Sequence, residues 1–305
     1  MSAALIFPGQ GSQRQGMLDA LPQTHELSGL LDLAQDLSGI DLRAEAATGA
    51  PERLADTRVA QPLLYLADWA WGSAAIAAGI APSAVAGHSL GEFAALALAG
   101  AFPVGVGLEL VVERSRLMAH AAAATPGGMS AVLGLDAADI AAVTDAIPGV
   151  WVANDNAPGQ VVISGTAEGI AAATAGLAAA GARRIVPLNV SGPFHTVLMQ
   201  PAADAFARLL EQIEFTDTPF PVYSNTDPRA TCDATTLKSR LSVQITEPVR
   251  WTETMRALVA AGHNVALECG TGTILTGLTK RVDGLTGIAV EQDGIAAVIE
   301  QGESS

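Results

Sequence analysis

Ala84-Val85-Ala86-Gly87-His88-Ser89-Leu90-Gly91-Glu92-Phe93-Ala94-Ala95-Leu96-Ala97-Leu98 is the stretch whose reading decides the fold. Ala84-Val85-Ala86 is an apolar run of the kind that ends a buried strand, and Glu92 to Leu98 reads as a helix that follows at once. Between them, Gly87-His88-Ser89-Leu90-Gly91 fits Gly-x-Ser-x-Gly. That turn is so sharp that only glycine tolerates the crowding on both flanks of the serine. It lifts Ser89 above the sheet at a helix N-terminus, where free N–H groups and the helix dipole favour negative charge. A serine so placed can take on an acyl group, with the N–H of Leu90 as one oxyanion donor. The bland alternative is an ordinary glycine-rich strand-to-helix turn.

Outward from this stretch, bulk composition narrows the class. The chain has 305 residues, is 50% hydrophobic and 15% charged, and so can build a sizeable core. Its net charge of −15, with lysine nearly absent, argues against nucleic acid, whose phosphates need a basic footprint, and disfavours an anionic membrane surface. Cys232 and Cys269 lie far apart without metal-ligand spacing, which predicts buried thiols in a reduced compartment. The N-terminus lacks a basic leader region, and the expected location is cytoplasmic. The longest apolar run, Phe93 to Val112, is broken by Pro103, glycines and Glu109, and reads as two packed helices instead of a membrane span.

Along the chain, Ala3 to Phe7 is a short strand followed by the loop Pro8-Gly9-Gln10-Gly11-Ser12-Gln13. Helical spacing covers Leu21 to about Leu42, with loops around Pro22 and Gly39; residues 51–57 are polar, and Gln61 to Gly79 is a helix with a wide apolar face. A second helix after the elbow spans Val106 to Ala123. Pro126-Gly127-Gly128 marks a boundary beyond which the rhythm changes. Strand Met129–Leu133, helix Ala137–Ala146, strands Val150–Ala153 and Gln160–Ser164 joined by an Asn154–Gly159 loop, helix Ala167–Ala180 and strand Arg184–Leu188 give the order βαββαβ. The fold class is therefore α/β: an α/β-hydrolase-like large domain from residues 1–126 and 194–305, with an inserted ferredoxin-like subdomain at 127–193. The parent pattern resumes with helix Met199–Ile213, strand Pro221–Asn225, helices Ala234–Leu241 and Arg250–Ala261, strand Val265–Cys269, helix Ile274–Arg281 and strand Gly287–Val290. The polar tail from Gly302 is expected to fray.

In open α/β sheets functional loops gather at the carboxyl ends of strands. Pro8–Gln13, His88–Gly91, Ser191–His195, Asn225–Asp227 and Gly270–Gly272 all follow predicted strands. A serine nucleophile needs a base within hydrogen-bond reach. His25 and His120 lie on helices away from strand ends, His88 adjoins the serine but points away, and His263 precedes its strand. His195, in Ser191-Gly192-Pro193-Phe194-His195, is the best base by elimination. A helix-capping role is the alternative for it. His263 with Asp227, in the Ser…Asp…His order of ordinary α/β-hydrolases, is the runner-up base. Arg114 has only apolar neighbours at three and four residues, Leu110, Val111, Leu117 and Met118, so a guanidinium interrupts a buried stripe. Arginine is almost never buried unpaired; its partner is a distant acid such as Glu92, or a ligand. Arg116, beside Glu113 and His120, reads as surface.

These motifs together carry a family resemblance. Phe7–Gln13, Gly87–Glu92, Arg114-Ser115-Arg116-Leu117-Met118, Gly159-Gln160-Val161-Val162-Ile163-Ser164-Gly165, Pro193-Phe194-His195 and Leu275-Thr276-Gly277-Leu278-Thr279-Lys280-Arg281 resemble, in order along nearly the whole chain, the malonyl-CoA:acyl-carrier-protein transacylase family. The resemblance implies a Ser89–His195 dyad, an oxyanion hole from the backbone N–H groups of Gln10 and Leu90, and a grip by Arg114 on the malonyl carboxylate. It implies that the main-chain carbonyl of Gln244 orients the histidine, and that bulky Phe194 disfavours branched acyl groups. It also implies malonyl-CoA and an acyl carrier protein as partners and no cofactor beyond the coenzyme A thioester substrate. The chain is read as a monomer.

Two features depart from the family pattern. The segment after Gln13 is short, and Met17-Leu18-Asp19-Ala20-Leu21-Pro22 resembles the epsilon subunit of malonate decarboxylase. Gly270-Thr271-Gly272 replaces the usual Gly-Pro-Gly. The alternatives are accordingly a malonyl transferase of malonate decarboxylase, a serine hydrolase or thioesterase of the same fold, and a non-catalytic subunit, which would have lost Ser89 or His195. Arg183 and Arg184, the only adjacent arginines, are the sequence's candidate for meeting an acidic carrier protein.

Overall fold

The computed structural model describes residues 2–297. Numbered in chain order, the strands of the larger sheet are β1 (Ser2–Phe7), β2 (Ala81–Gly87), β7 (Val222–Tyr223), β8 (Val265–Glu268) and β9 (Thr286–Ala289). They run parallel in the order β7-β2-β1-β8-β9. Parallel strands are buried on both faces, and side chains alternate between them. In β1, Ala3, Leu5 and Phe7 enter one core cluster and Ala4 and Ile6 the other.

Helices α1 (His25–Ser38), α2 (Leu42–Thr48), α3 (Pro51–Leu54), α4 (Thr57–Ala77), α5 (Gly91–Leu98) and α6 (Val104–Ala124) precede the second sheet. Leu63, Leu64, Phe93, Leu110 and Val111 from α4, α5 and α6 fill the first core, together with Phe206 of α9 (Gln200–Glu211). The opposite face is covered by Trp251, Met255 and Leu258 of α11 (Trp251–Ala260) and Leu275 and Leu278 of α12 (Ile274–Thr279). Between α9 and α11 lies α10 (Ala234–Val243), and α13 (Val290–Asp293) follows β9.

The second sheet holds β3 (Gly128–Leu133), β4 (Val150–Ala157), β5 (Gln160–Gly165) and β6 (Arg184–Pro187), antiparallel in the order β4-β5-β3-β6. Its helices are α7 (Ala137–Thr144) and α8 (Ala167–Ala179). The first and third strands of the unit are central, the arrangement a βαββαβ chain adopts when each helix packs back on one face. A separate core of Val132, Ile140, Val150, Val161, Ile163, Ala173 and Leu177 holds it together.

Several expectations need correction. The Asn154–Gly159 stretch is not a loop: β4 continues to Ala157, with irregular register near Asn154 and Ala157, and only Pro158-Gly159 turns. Bulges let this polar run stay paired while re-aiming its side chains. The helix expected from Gln61 begins at Thr57, where Asp56 caps it by accepting from the Arg58 N–H, and Pro62 sits inside it. Helices α2 and α3, missed in the sequence, are short segments stopped by Gly49 and started by Pro51, too brief for a periodic signal. The helix expected from Met199 is a 3₁₀ turn, Val197–Met199, leading into α9, and the strand at 221–225 is only Val222–Tyr223. Cys269 is buried but Cys232 is exposed, and both are free thiols. Among the described residues, no helix is long and apolar enough to cross a membrane; Phe93–Val112 is divided between α5 and α6. The tail from Gly302 lies outside the described residues.

Candidate active site

β2 delivers Ser89 at its carboxyl end, and α5 starts two residues later. The turn between them is crowded, as its glycines require: a Cβ on Gly91 would overlap the Phe7 carbonyl oxygen, and one on Gly87 would overlap the Gly91 backbone. Ser89 itself sits at φ 50° and His195 at φ 58°, the two non-glycine residues with positive φ among those described. Ser89 Oγ lies 2.8 Å from His195 Nε2. On the far side of the ring, Nδ1 lies 3.0 Å from the Gln244 carbonyl and 3.1 Å from that of Glu247. Carbonyls only accept, so Nδ1 carries the proton and Nε2 is left to accept from the serine hydroxyl. No carboxylate is needed to set the tautomer. Burial, followed by the Arg114 charge, pushes the imidazole pKa down to about 3, so the ring is neutral at physiological pH.

Ser89 and His195 line a cavity of about 120 Å³ between the two sheets. Gln10, Leu90, Arg114, Met118 and Phe194 contribute from the large-sheet side, and Met129, Asn154, Asn156, Val162 and Leu188 from the smaller unit. The backbone N–H groups of Gln10 and Leu90 donate to no other described residue, which leaves both open to an oxyanion. The Ser89 N–H is already taken by Asn225 Oδ1 at 2.6 Å.

Arg114 is 1% exposed. It donates to Gln61 Oε1 at 2.8 Å, Gln244 Oε1 at 3.0 Å and Ser89 Oγ at 3.3 Å. Its carbon lies 5.4 Å from the centre of the Phe93 ring. No carboxylate stands within salt-bridge distance among the described residues. Burial lowers its pKa to about 10, still well above neutrality. The direct pairing with Glu92 that the sequence allowed is not made, because the Gln244 amide lies between them.

An acyl transferase domain model matches residues 4–282. The malonyl CoA-acyl carrier protein transacylase of Salmonella typhimurium is 40% identical over 305 residues, 98% of this chain and 99% of that protein. The structure of the malonyl CoA-acyl carrier protein transacylase from Coxiella burnetii superposes with a TM-score of 0.91 at 35% identity, covering 99% of this chain and 97% of that one. A malonyl-transacylase solved in complex with a type II polyketide acyl-carrier protein gives 0.91 at 39% identity, with both chains covered in full. The chain belongs to the malonyl CoA-acyl carrier protein transacylases of the acyl transferase domain family.

The seven residues that the resemblance assigned to the site, Gln10, Ser89, Leu90, Arg114, Phe194, His195 and Gln244, meet at one place. The loops after β1, β2, β7 and β8 gather at one end of the large sheet; the loop carrying His195 instead returns from β6 of the small sheet. The runner-up base is remote: His263 Nδ1 bonds Ser83 Oγ near the start of β2, and Asp227 pairs with Arg229 and Arg240. His88 turns from the serine to bond Asn156 Oδ1 at 2.7 Å and meets Trp251 edge-on. Arg116 pairs with Glu113 at the surface. Sequence reasoning missed Gln61, Asn225, Asn154 and Asn156. Asn225 was legible as a loop residue after β7, and Gln61 as a polar position on an apolar helix face. The two asparagines carried no signal, being read as a loop.

Proposed function

We propose that the chain moves a malonyl group from malonyl-CoA to the phosphopantetheine thiol of an acyl carrier protein, for fatty acid or polyketide synthesis, through a malonyl-Ser89 intermediate. The observation that carries this reading is Arg114: a buried guanidinium without a carboxylate partner, facing the cavity of the Ser89–His195 pair. A planar fork of donors suits the free carboxylate of a malonyl group, and turns a general acyl site into one selective for a carboxylated acyl group.

His195 Nε2 takes the proton of Ser89 as Oγ attacks the thioester carbonyl. The oxygen that becomes negative is received by the N–H groups of Gln10 and Leu90. The C–S bond breaks, His195 returns the proton to the departing thiolate, and coenzyme A leaves. The carrier thiol then enters, gives its proton to His195 and attacks the ester, and collapse restores the Ser89 hydroxyl. Phe194, on the cavity wall, would crowd a branched acyl group. The steps call for no metal or redox cofactor. A coenzyme A thioester and a carrier protein as substrates favour a cytoplasmic enzyme.

The test is intact-mass measurement after incubation with malonyl-CoA alone. One malonyl mass should appear on the wild type and none on Ser89→Ala; an adduct that persists in Ser89→Ala would remove the serine from the mechanism.

A further inference from the structure

Gln244 does more than lend its carbonyl to the histidine. Glu92, three residues past the serine, is 1% exposed, and its carboxylate is held by Gln244 Nε2 at 2.7 Å and the Asn225 N–H at 3.3 Å. The same Gln244 amide donates to the Ser89 carbonyl at 2.9 Å and, through Oε1, accepts from Arg114 Nη2 at 3.0 Å. All hydrogen-bonding positions of the amide N–H₂ are thus used. Its orientation is dictated by the two groups it bridges: the oxygen must face the guanidinium, and the N–H₂ then faces Glu92, whose pKa burial raises while the hydrogen bonds from Gln244 and the Asn225 N–H and the Arg114 charge hold it down.

From this wedge we infer that the Gln244 side chain is a positioning residue that keeps Glu92 off Arg114, so that the guanidinium stays available to an acyl carboxylate. The inference rests on the malonyl reading above and specifies what makes that selectivity possible. Two opposite charges this deeply buried would pair strongly if they touched. A Glu92–Arg114 pair would then have to be broken, or its charge doubled, each time a malonyl group entered. An amide between them avoids this. It accepts one hydrogen bond from Arg114 without cancelling its charge, and it gives Glu92 a donor that is not a cation. Glu92 polarises the amide and strengthens its oxygen as an acceptor, which makes an otherwise unpaired guanidinium tolerable in the interior. The Phe93 ring face beside Arg114 acts in the same direction.

The experiment compares kcat/KM for serine acylation by malonyl-CoA and by acetyl-CoA in the wild type and four variants. Glu92→Gln alone keeps a neutral amide against Arg114, and its malonyl-to-acetyl ratio should stay within about threefold of wild type. The exchange Glu92→Gln with Gln244→Glu retains the atoms and the total charge but puts the carboxylate against Arg114. Its ratio should fall at least about tenfold, chiefly through a higher KM for malonyl-CoA. Gln244→Leu, which needs no second charge to be accommodated, should also lose the ratio, and adding Glu92→Gln should restore part of it. Rescue by removing a charge is not expected of a residue that merely fills space. A wild type that favours malonyl-CoA, with the exchanged protein keeping that preference, would overturn the inference alone. So would the absence of rescue in the leucine pair. A wild type indifferent to malonyl over acetyl groups would overturn the proposed function, and this inference with it.

Discussion

Ser89 and His195 each hold a left-handed backbone conformation that costs on the order of 1–3 kcal/mol for a non-glycine residue. Strain of this kind persists where the surroundings over-determine it, and here it aims Oγ at Nε2. With the imidazole pKa depressed by burial and by Arg114, the base is unprotonated across the physiological range. Accordingly, kcat/KM for malonyl-CoA should not decline through a pKa near 6.5 as pH falls from 8 to 5.5; a midpoint near 6.5 would mean the ring is solvated. His195→Ala should slow acylation by about 10²–10⁴-fold, the usual effect of losing a general base, while His263→Ala, at the other end of the sheet, should change it little. At Arg114, replacement by alanine should lower the malonyl-to-acetyl ratio of kcat/KM, whereas an unchanged ratio with both activities reduced would make the guanidinium a structural partner only. Lysine should not restore the ratio, since a single ammonium lacks the fork.

At the scale of elements, the strand–elbow–helix unit of β2 and α5 is set by contact between backbones. Gly91 packs on the Phe7 and Pro8 carbonyls at the end of β1, the strand that leads into the Gln10 loop. The elbow therefore positions at once the N–H groups of Gln10 and Leu90, the proposed oxyanion donors. Gly91→Ala should cost at least about 1–3 kcal/mol, the range for overpacking a rigid interior, measured as a lower urea midpoint. A midpoint within experimental error of wild type would show that β1 can retreat. The strand β4 escaped the sequence for a different reason from the short helices α2 and α3. β4 reads as polar because Asn154 and Asn156 face the cavity, where Asn156 bonds His88, so the cavity lining overrode the strand pattern.

Across the whole molecule, charge and stability meet at two places. Asp68 of α4 is fully buried, and neither carboxylate oxygen has a partner in the described residues. Burial, then the nearby Glu268 charge, raises its pKa well above the ordinary value of 3.8. A carboxyl raised in the folded state favours folding below its unfolded pKa, and that contribution is lost as pH rises toward the folded value. Asp68→Asn should thus gain on wild type as pH increases from 5 to 8, by at most about 1.4 kcal/mol per pH unit. A stability difference that does not change with pH would contradict the assignment. The second place is the edge of the small sheet. Arg183 and Arg184 are exposed there, and Arg281 reaches the neighbouring turn through the Pro158 carbonyl at 3.3 Å. On a chain of net charge −15, the adjacent pair Arg183 and Arg184 is the candidate surface for an acidic carrier protein. Reversing Arg183 and Arg184 to Glu should raise the carrier KM several-fold and leave the KM for malonyl-CoA unaltered; an unaltered carrier KM puts docking elsewhere.

The sequence by itself determined the elbow and the βαββαβ unit, because turn chemistry and periodicity are local and survive without neighbours. It reached His195 only by elimination, with His263 left open, and the 2.8 Å approach to Ser89 came from the tertiary structure. It also marked Arg114 as anomalous, since a charge in an apolar stripe is visible along one helix. Tertiary structure alone decided what that charge meets. Gln61, Ser89 and Gln244 come from three distant segments, and nothing in their spacing distinguishes an arginine paired with Glu92 from one held clear of it by an amide. Long-range polar contacts depend on which loops the two sheets bring together, and a sequence pattern carries no measure of that distance.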